Sequence, residues 1–240
     1  MSDSNSKQHT VQAFDSDLQE IARKIAAMGG LAKKQITDAI RALIDRDTEL
    51  AEHVIAADST IDAMQHEIEQ QTVLILTRRQ PMAVDLREIV AAMRTCNDIE
   101  RIGDHAKHIG KRVVALSADL YPQALVRGVE HMADLVLSLL KQVLDGYANR
   151  DVGAALAVWS DDEEIDALCA SVFRELLTYM MEDPRNITFC MQLMFCAKDI
   201  ERMGDHATNI AETVYYMIEG REITVQRPKG DTTNFLRAVG

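Results

Sequence analysis

Apolar residues recur along this chain at steps of three and four. Leu18, Ile21, Ile25, Met28, Ala32, Ile36, Ala39, Ile40 and Leu43 trace one stripe, the spacing that keeps one face of a helix in a core. Gly29-Gly30 falls inside the stripe without shifting its phase, so close backbone packing in a continuing helix fits better than a break. A second helix is predicted after Asp45-Arg46-Asp47, with acidic residues at its positive end, running to Arg79 before Gln80-Pro81. A third covers 82–116. After Tyr121-Pro122 the plan returns, with helices over 123–147, 151–182 and 184–219 and Gly220 as a cap. The stretch "TVQRPKGDTTNFLRAVG" is polar and aperiodic, so a mobile tail is expected over 223–240.

The return is one of residues as well as of helices. Arg46-Asp47 recurs as Arg150-Asp151, and Ile61-Asp62-Ala63 as Ile165-Asp166-Ala167. The expected fold is therefore all-α, a tandem repeat of two three-helix bundles related by a pseudo-twofold axis. Residues 10–118 form the first repeat and 119–222 the second.

Composition narrows the class. Hydrophobic residues make up 47% of the chain while aromatics reach only 5%, with four prolines, which favours helices over sheets. The net charge is −12 and no basic stripe interrupts it, which argues against nucleic acid as a partner. Four cysteines without a C-x-x-C pair read as buried free thiols in a reducing compartment. The N-terminus has no signal-peptide pattern and no apolar run reaches membrane-spanning length. A soluble cytoplasmic protein is expected.

The candidate chemistry lies in one word written twice: "NDIERIGDHAKHI" at 97–109 and "KDIERMGDHATNI" at 198–210. Glu100 and Asp104 are one turn apart on one helix face, and so are Glu201 and Asp205. Each pair sits about 100° round from the apolar seam, on its flank. Gly103 and Gly204 lie in the seam and admit close approach by a helix or ligand. Like charges one turn apart cost a helix a few tenths of a kcal/mol, about 0.2–0.5, so a neutralising partner is expected, either arginines or metal ions. Arg101 and Arg202 point away from the pairs and are expected to meet Asp98 and Asp199 instead. That leaves the acids for a cation, although a solvated face is the plainer alternative for any single pair.

His105 and His206 lie off the acid face. A hydrogen bond to Asp98 and Asp199, seven residues back, or to the facing helix is expected. Asp62 and Asp166 are further ligands or helix-surface residues, while Trp159 and the methionines read as core. An all-carboxylate donor set suits Mg, Mn, Ca or Fe and selects poorly for Zn or Cu. Three function classes follow: a metal-containing binding protein, a carboxylate-bridged metal hydrolase or redox enzyme, and a purely structural bundle. The enzyme would need an open coordination position and a substrate pocket, and no separate base or Gly-rich phosphate loop is visible.

The duplicated Glu-Arg-x-Gly-Asp-His word resembles the PhoU family, as do "QPMAVDLREI", "MGGLAKKQITDAI" and "VYYMIEG". The resemblance spans about His9 to Gly220. It implies two three-helix bundles, a homodimer, and a metal held by a Glu/Asp-x-x-x-Asp motif that falls on Glu100, Asp104, Glu201 and Asp205. It also implies a non-enzymatic adaptor between the ATPase of a phosphate importer and a sensor histidine kinase. Such an adaptor holds the phosphate regulon off when phosphate is plentiful. The copies differ at Asn97 and Lys198, one turn before each Glu, where a lysine would occupy cation space at the second site.

Overall fold

The structure is a computed structural model that describes residues 2–79, 81–116 and 123–224. Gln80, the turn at Tyr121-Pro122 and residues 225–240 of the tail lie outside the described residues. The described chain is helical throughout, with no strand: α1 (Ser2–Asp45), α2 (Thr48–Arg79), α3 (Val84–Ala115), α4 (Arg127–Asn149), α5 (Val152–Glu182) and α6 (Ile187–Glu219). Short 3-10 turns at Gln123–Val126 and Pro184–Asn186 precede α4 and α6. Both of those α-helices therefore begin a few residues later than periodicity predicts. At α6, Pro184 and the Asp183 carboxylate, which accepts from the Arg185 N–H at 2.9 Å, set the tighter turn first.

The repeated Arg-Asp dipeptide builds the same turn in both halves. Arg46 and Arg150 take left-handed backbone, with φ of 57° and 53°, which reverses the chain in a single residue. The aspartate that follows caps the next helix. Asp47 Oδ1 accepts from the Leu50 N–H at 2.9 Å and Asp151 Oδ1 from the Ala154 N–H at 3.1 Å. Gly220 closes α6 in the left-handed region, at φ 72°, its N–H bonded to the Tyr216 carbonyl.

Helices α1, α2 and α3 pack on one another, as do α4, α5 and α6. The triplets join through α3 against α6, with α1 against α4 beside them. The predicted seams are the ones buried: Ile89, Ala92, Cys96, Ile99, Gly103, Ala106, Gly110 and Val113 on α3, and Cys190, Leu193, Ala197, Ile200, Gly204, Ala207, Ala211 and Val214 on α6. All four cysteines are buried thiols, with no disulfide among them. Trp159 is buried as expected and donates its indole N–H to Glu212 at 3.2 Å. The methionines divide. Met28, Met132, Met203 and Met217 are core, but Met82, between α2 and α3, and Met181, in the last turn of α5, stand 81% and 78% exposed.

Helix α1 runs unbroken through Gly29-Gly30. A Cβ at Gly29 would meet Leu144 of α4 at 2.4 Å, whereas one at Gly30 would meet nothing. Gly103 is also a point of close approach, with Gln35 of α1 and Ile61 of α2 each 3.1 Å from a built Cβ. Urea denaturation should separate these positions. Gly103→Val forces a branched side chain into that contact and should cost about 2 kcal/mol. Gly30→Ala should instead gain about 0.5–1 kcal/mol from helix propensity.

Candidate functional site at the α3–α6 crossing

The acid pairs emerge where expected, on the flanks of the two central helices. Glu100 and Asp104 are half-buried on α3, Glu201 is buried on α6 and Asp205 half-buried beside it. Their partners differ from the sequence expectation. Arg101 turns to its own pair, 3.5 Å from both Glu100 and Asp104, rather than to Asp98. Asp199 in turn is taken by His105 and Arg112. The reason is tertiary. Asp98 and Asp199 face the crossing of α3 and α6, where groups from the opposite helix reach them first.

Two residues join the first acid pair that the spacing analysis did not single out. Lys107 donates to Asp104 Oδ1 at 3.1 Å and also bonds Asp58, a buried carboxylate on α2. Asp58 stands four residues before Asp62, so α2 carries an Asp-x-x-x-Asp pair of its own, a spacing visible in the sequence. The charges of Asp58 and Asp104 both act on Asp62, which places Asp62 with the first cluster. Burial, and next the charge of Asp104, pushes the Glu100 carboxyl up from its ordinary value. Burial, and next Asp58, does the same to Asp62. Burial would also raise Asp104, but the Lys107 hydrogen bond and charge outweigh it and hold that carboxyl low. Lys107 is in turn raised, chiefly by its bond to Asp58.

At the second pair Lys198 donates to Glu201 Oε1 at 2.8 Å, in the cation space expected for it. Asp166 is half-buried on α5. One oxygen of each glutamate, Glu100 Oε2 and Glu201 Oε2, is buried and accepts no hydrogen bond, with Arg101 Nε standing 3.5 Å from the first. A buried carboxylate oxygen without a donor is costly, and an oxygen-seeking cation fits that need.

Between the two acid faces the helices exchange partners. His105 Nδ1 lies 3.0 Å from Asp199 Oδ1, and His206 Nδ1 lies 2.9 Å from Asp98 Oδ1. Of the two expectations, the facing helix is the one realised: each histidine takes the aspartate of the other half. Their rings stand 5.7 Å apart. Arg112 reaches Asp199 Oδ2 through Nε at 3.2 Å and Nη2 at 2.8 Å, and its guanidinium lies over the Phe195 ring. Asn209 approaches Asp98 Oδ1 at 3.4 Å. Burial would raise the Asp199 carboxyl, yet the bonds from His105 and Arg112 hold it below its ordinary range.

Surface clefts of about 390 and 420 Å³ are lined by Arg94, Asp98 and Glu212 among others, and by Leu31, Gln35 and Thr60 among others. None of Glu100, Asp104, Glu201 or Asp205 lines either. No helix among the described residues is long and apolar enough to cross a membrane.

Two helical triplets joined through a polar crossing, with a carboxylate face on each, define an all-helical tandem-repeat protein built around duplicated acidic faces. A family profile described as the PhoU domain matches it twice, over residues 11–113 and 129–214. The chain belongs to the PhoU family. It is 50% identical over 231 residues to a Rhizobium meliloti (strain 1021) protein named phosphate-specific transport system accessory protein PhoU homolog, covering 96% of this chain and 98% of that one. A Caulobacter vibrioides protein of the same name is 47% identical, covering 93% and 97%. The crystal structure of PhoU from Pseudomonas aeruginosa superposes with a TM-score of 0.81 at 39% identity, covering 87% of this chain and all of that one. That of the phosphate transport system regulatory protein PhoU from Streptococcus pneumoniae gives 0.81 at 29% identity, covering 88% and 100%.

Because its folded-state carboxyl is held low, Asp199 contributes its full stabilisation above the ordinary carboxylate range and loses it as pH falls through the lowered value. Asp199→Asn should therefore cost about 3 kcal/mol at pH 7, the scale for breaking a buried pair. The gap in urea midpoints between the variant and the parent should begin to close only below about pH 4.

Proposed function

We propose that this chain is a cytoplasmic, metal-binding, non-enzymatic adaptor of a phosphate transport system. In this role it negatively regulates the phosphate regulon by coupling the ATPase of the phosphate importer to the sensor histidine kinase, and so modulates phosphate uptake. The names of its relatives support the transport setting. The observation that carries the metal is the pair of buried glutamate oxygens without donors, Glu100 Oε2 and Glu201 Oε2, one on each acid face. Glu100 and Asp104 would hold one ion, with Asp62 as a further oxygen donor beside them. Glu201 and Asp205 would hold the other, with Asp166 on the adjacent helix. Hard oxygen donors favour Mg, Mn or Fe over Zn.

The bound ion supplies positive charge to a face that is otherwise strongly negative. The protein's own residues do the rest. The repeats at 10–118 and 119–222 present two such faces on a rigid crossing, and a homodimer would double them. An adaptor changes a partner's state only through a difference in affinity between that partner's conformations. The acid faces are where such a difference can be electrostatic. A hydrolase or redox reading is less well supported, because neither cleft described above is lined by the acid pairs.

The test is genetic and chemical. Deleting the gene should raise a phosphate-regulon reporter in high phosphate, and the wild-type chain should restore repression. Glu100→Ala/Asp104→Ala should fail to restore it, lose one class of Mn2+ site in equilibrium dialysis, and keep its far-ultraviolet helicity. Unchanged low reporter expression in the deletion strain would count against the adaptor role.

A further inference from the structure

The two halves do not treat the crossing alike. His105 and His206 hold equivalent positions and each reaches an aspartate of the other half. Three residues further on, however, the first half places His108 where the second has Asn209. Seven residues on, it places Arg112 where the second has Thr213. The additional chemistry therefore gathers round Asp199. His105 Nδ1 and His108 Nδ1 stand 3.0 and 3.7 Å from the same oxygen, Asp199 Oδ1. One nitrogen of each histidine and one oxygen of Asp199 lie within 4.8 Å of one another.

We propose that His105, His108 and Asp199 form a site for a borderline transition-metal ion, Zn2+ or Co2+, separate from the carboxylate faces. Donors about 2.1 Å from a tetrahedral ion stand about 3.4 Å apart, and the two nitrogen–oxygen distances straddle that value. Two imidazoles and one carboxylate favour such an ion over Mg2+, which prefers oxygen alone. Arg112 occupies Asp199 Oδ2 with two N–H bonds and is itself braced on Phe195, leaving Oδ1 turned to the imidazoles. A ligating carboxylate is commonly oriented in this way by a neighbour.

His105 is buried and anchors the site, while the His108 side chain is 44% exposed and leaves a fourth position open to water. The ion takes the place of the proton between His105 and Asp199, and neutral His105 then carries its N–H on Nε2. An ordinary ion pair explains less. One imidazole already satisfies Oδ1, His108 lies beyond hydrogen-bond distance of it, and the second half makes the same cross-contact with Asn209 in place of a second histidine.

The test titrates the metal-free full chain with Co2+, followed by visible absorption, and then with Zn2+ in competition. The wild-type chain should hold one Co2+ that gives intense tetrahedral-type visible bands, which Zn2+ abolishes, whatever Co2+ the all-oxygen carboxylate faces also take up. His108→Asn, which copies the second half at a half-exposed position, should weaken binding at least about tenfold with unchanged circular dichroism. Glu100→Ala/Asp104→Ala should keep the bands. The proposal is overturned if the wild-type chain gives no such bands, if His108→Asn matches it in affinity and spectrum, or if only the acid-pair variant loses the signal. Failure of Mn2+ to bind the carboxylate faces would leave this site untouched, so the two metal readings fail separately.

Discussion

Asp98 and Asp199 are buried carboxylates at a helix crossing, only 9% and 4% exposed. Among the described residues, the side chains that pair with each come from the other half. Each is met by a histidine from the other half, His206 for Asp98 and His105 for Asp199. A buried charge left unpaired costs several kcal/mol, so each triplet of helices depends on the other to complete its centre. Ile99, Ile102, Ile200 and Met203, close by in sequence, are fully buried, while Asp98 also lines a surface cleft. For the buried carboxylates the contacts are stronger than in water and direction-dependent. Apolar seams alone could slide or rotate against each other, and the reciprocal pairs select one register.

Once the crossing is set, the acid faces follow. Glu100 and Glu201 each lie one residue beyond a seam isoleucine, so a register that buries Ile99 and Ile200 carries both glutamates to the rim. The rim is dry enough to bury one oxygen of each, yet close enough to the surface for half-buried aspartates to stand beside them. Charge is balanced differently on the two sides. The first half uses Lys107, at a position where the second has Thr208, and the second uses Lys198, where the first has Asn97. Lys107 joins Arg101 at the first face, while Lys198 meets the second at a different level. The duplicated word keeps its acids and varies its bases, which leaves the two faces with unlike charge balance.

The polar groups of the crossing and of the acid faces are held on long helices braced by both halves. The helix turns are likewise built for rigidity, with a left-handed arginine and a capping aspartate at each corresponding corner.

Much of this was legible in the sequence. The three-four periodicity of residues such as Ile25, Ile36, Ile99 and Ala207 specifies helices and their buried faces, because helix geometry ties position in the chain to direction in space. The two copies of Glu-Arg-x-Gly-Asp-His locate the acid pairs for the same reason. What the chain could not show alone is which groups from other helices would arrive beside them. Arg101 was expected to meet Asp98 and meets Glu100 and Asp104 instead. Lys107 and Asp58 come together from different helices, and His105 with His108 converges on Asp199 from far along the chain. Local spacing decides the face on which a side chain emerges; only the packing of one helix on another decides what it touches, since that depends on the crossing register of surfaces distant in sequence.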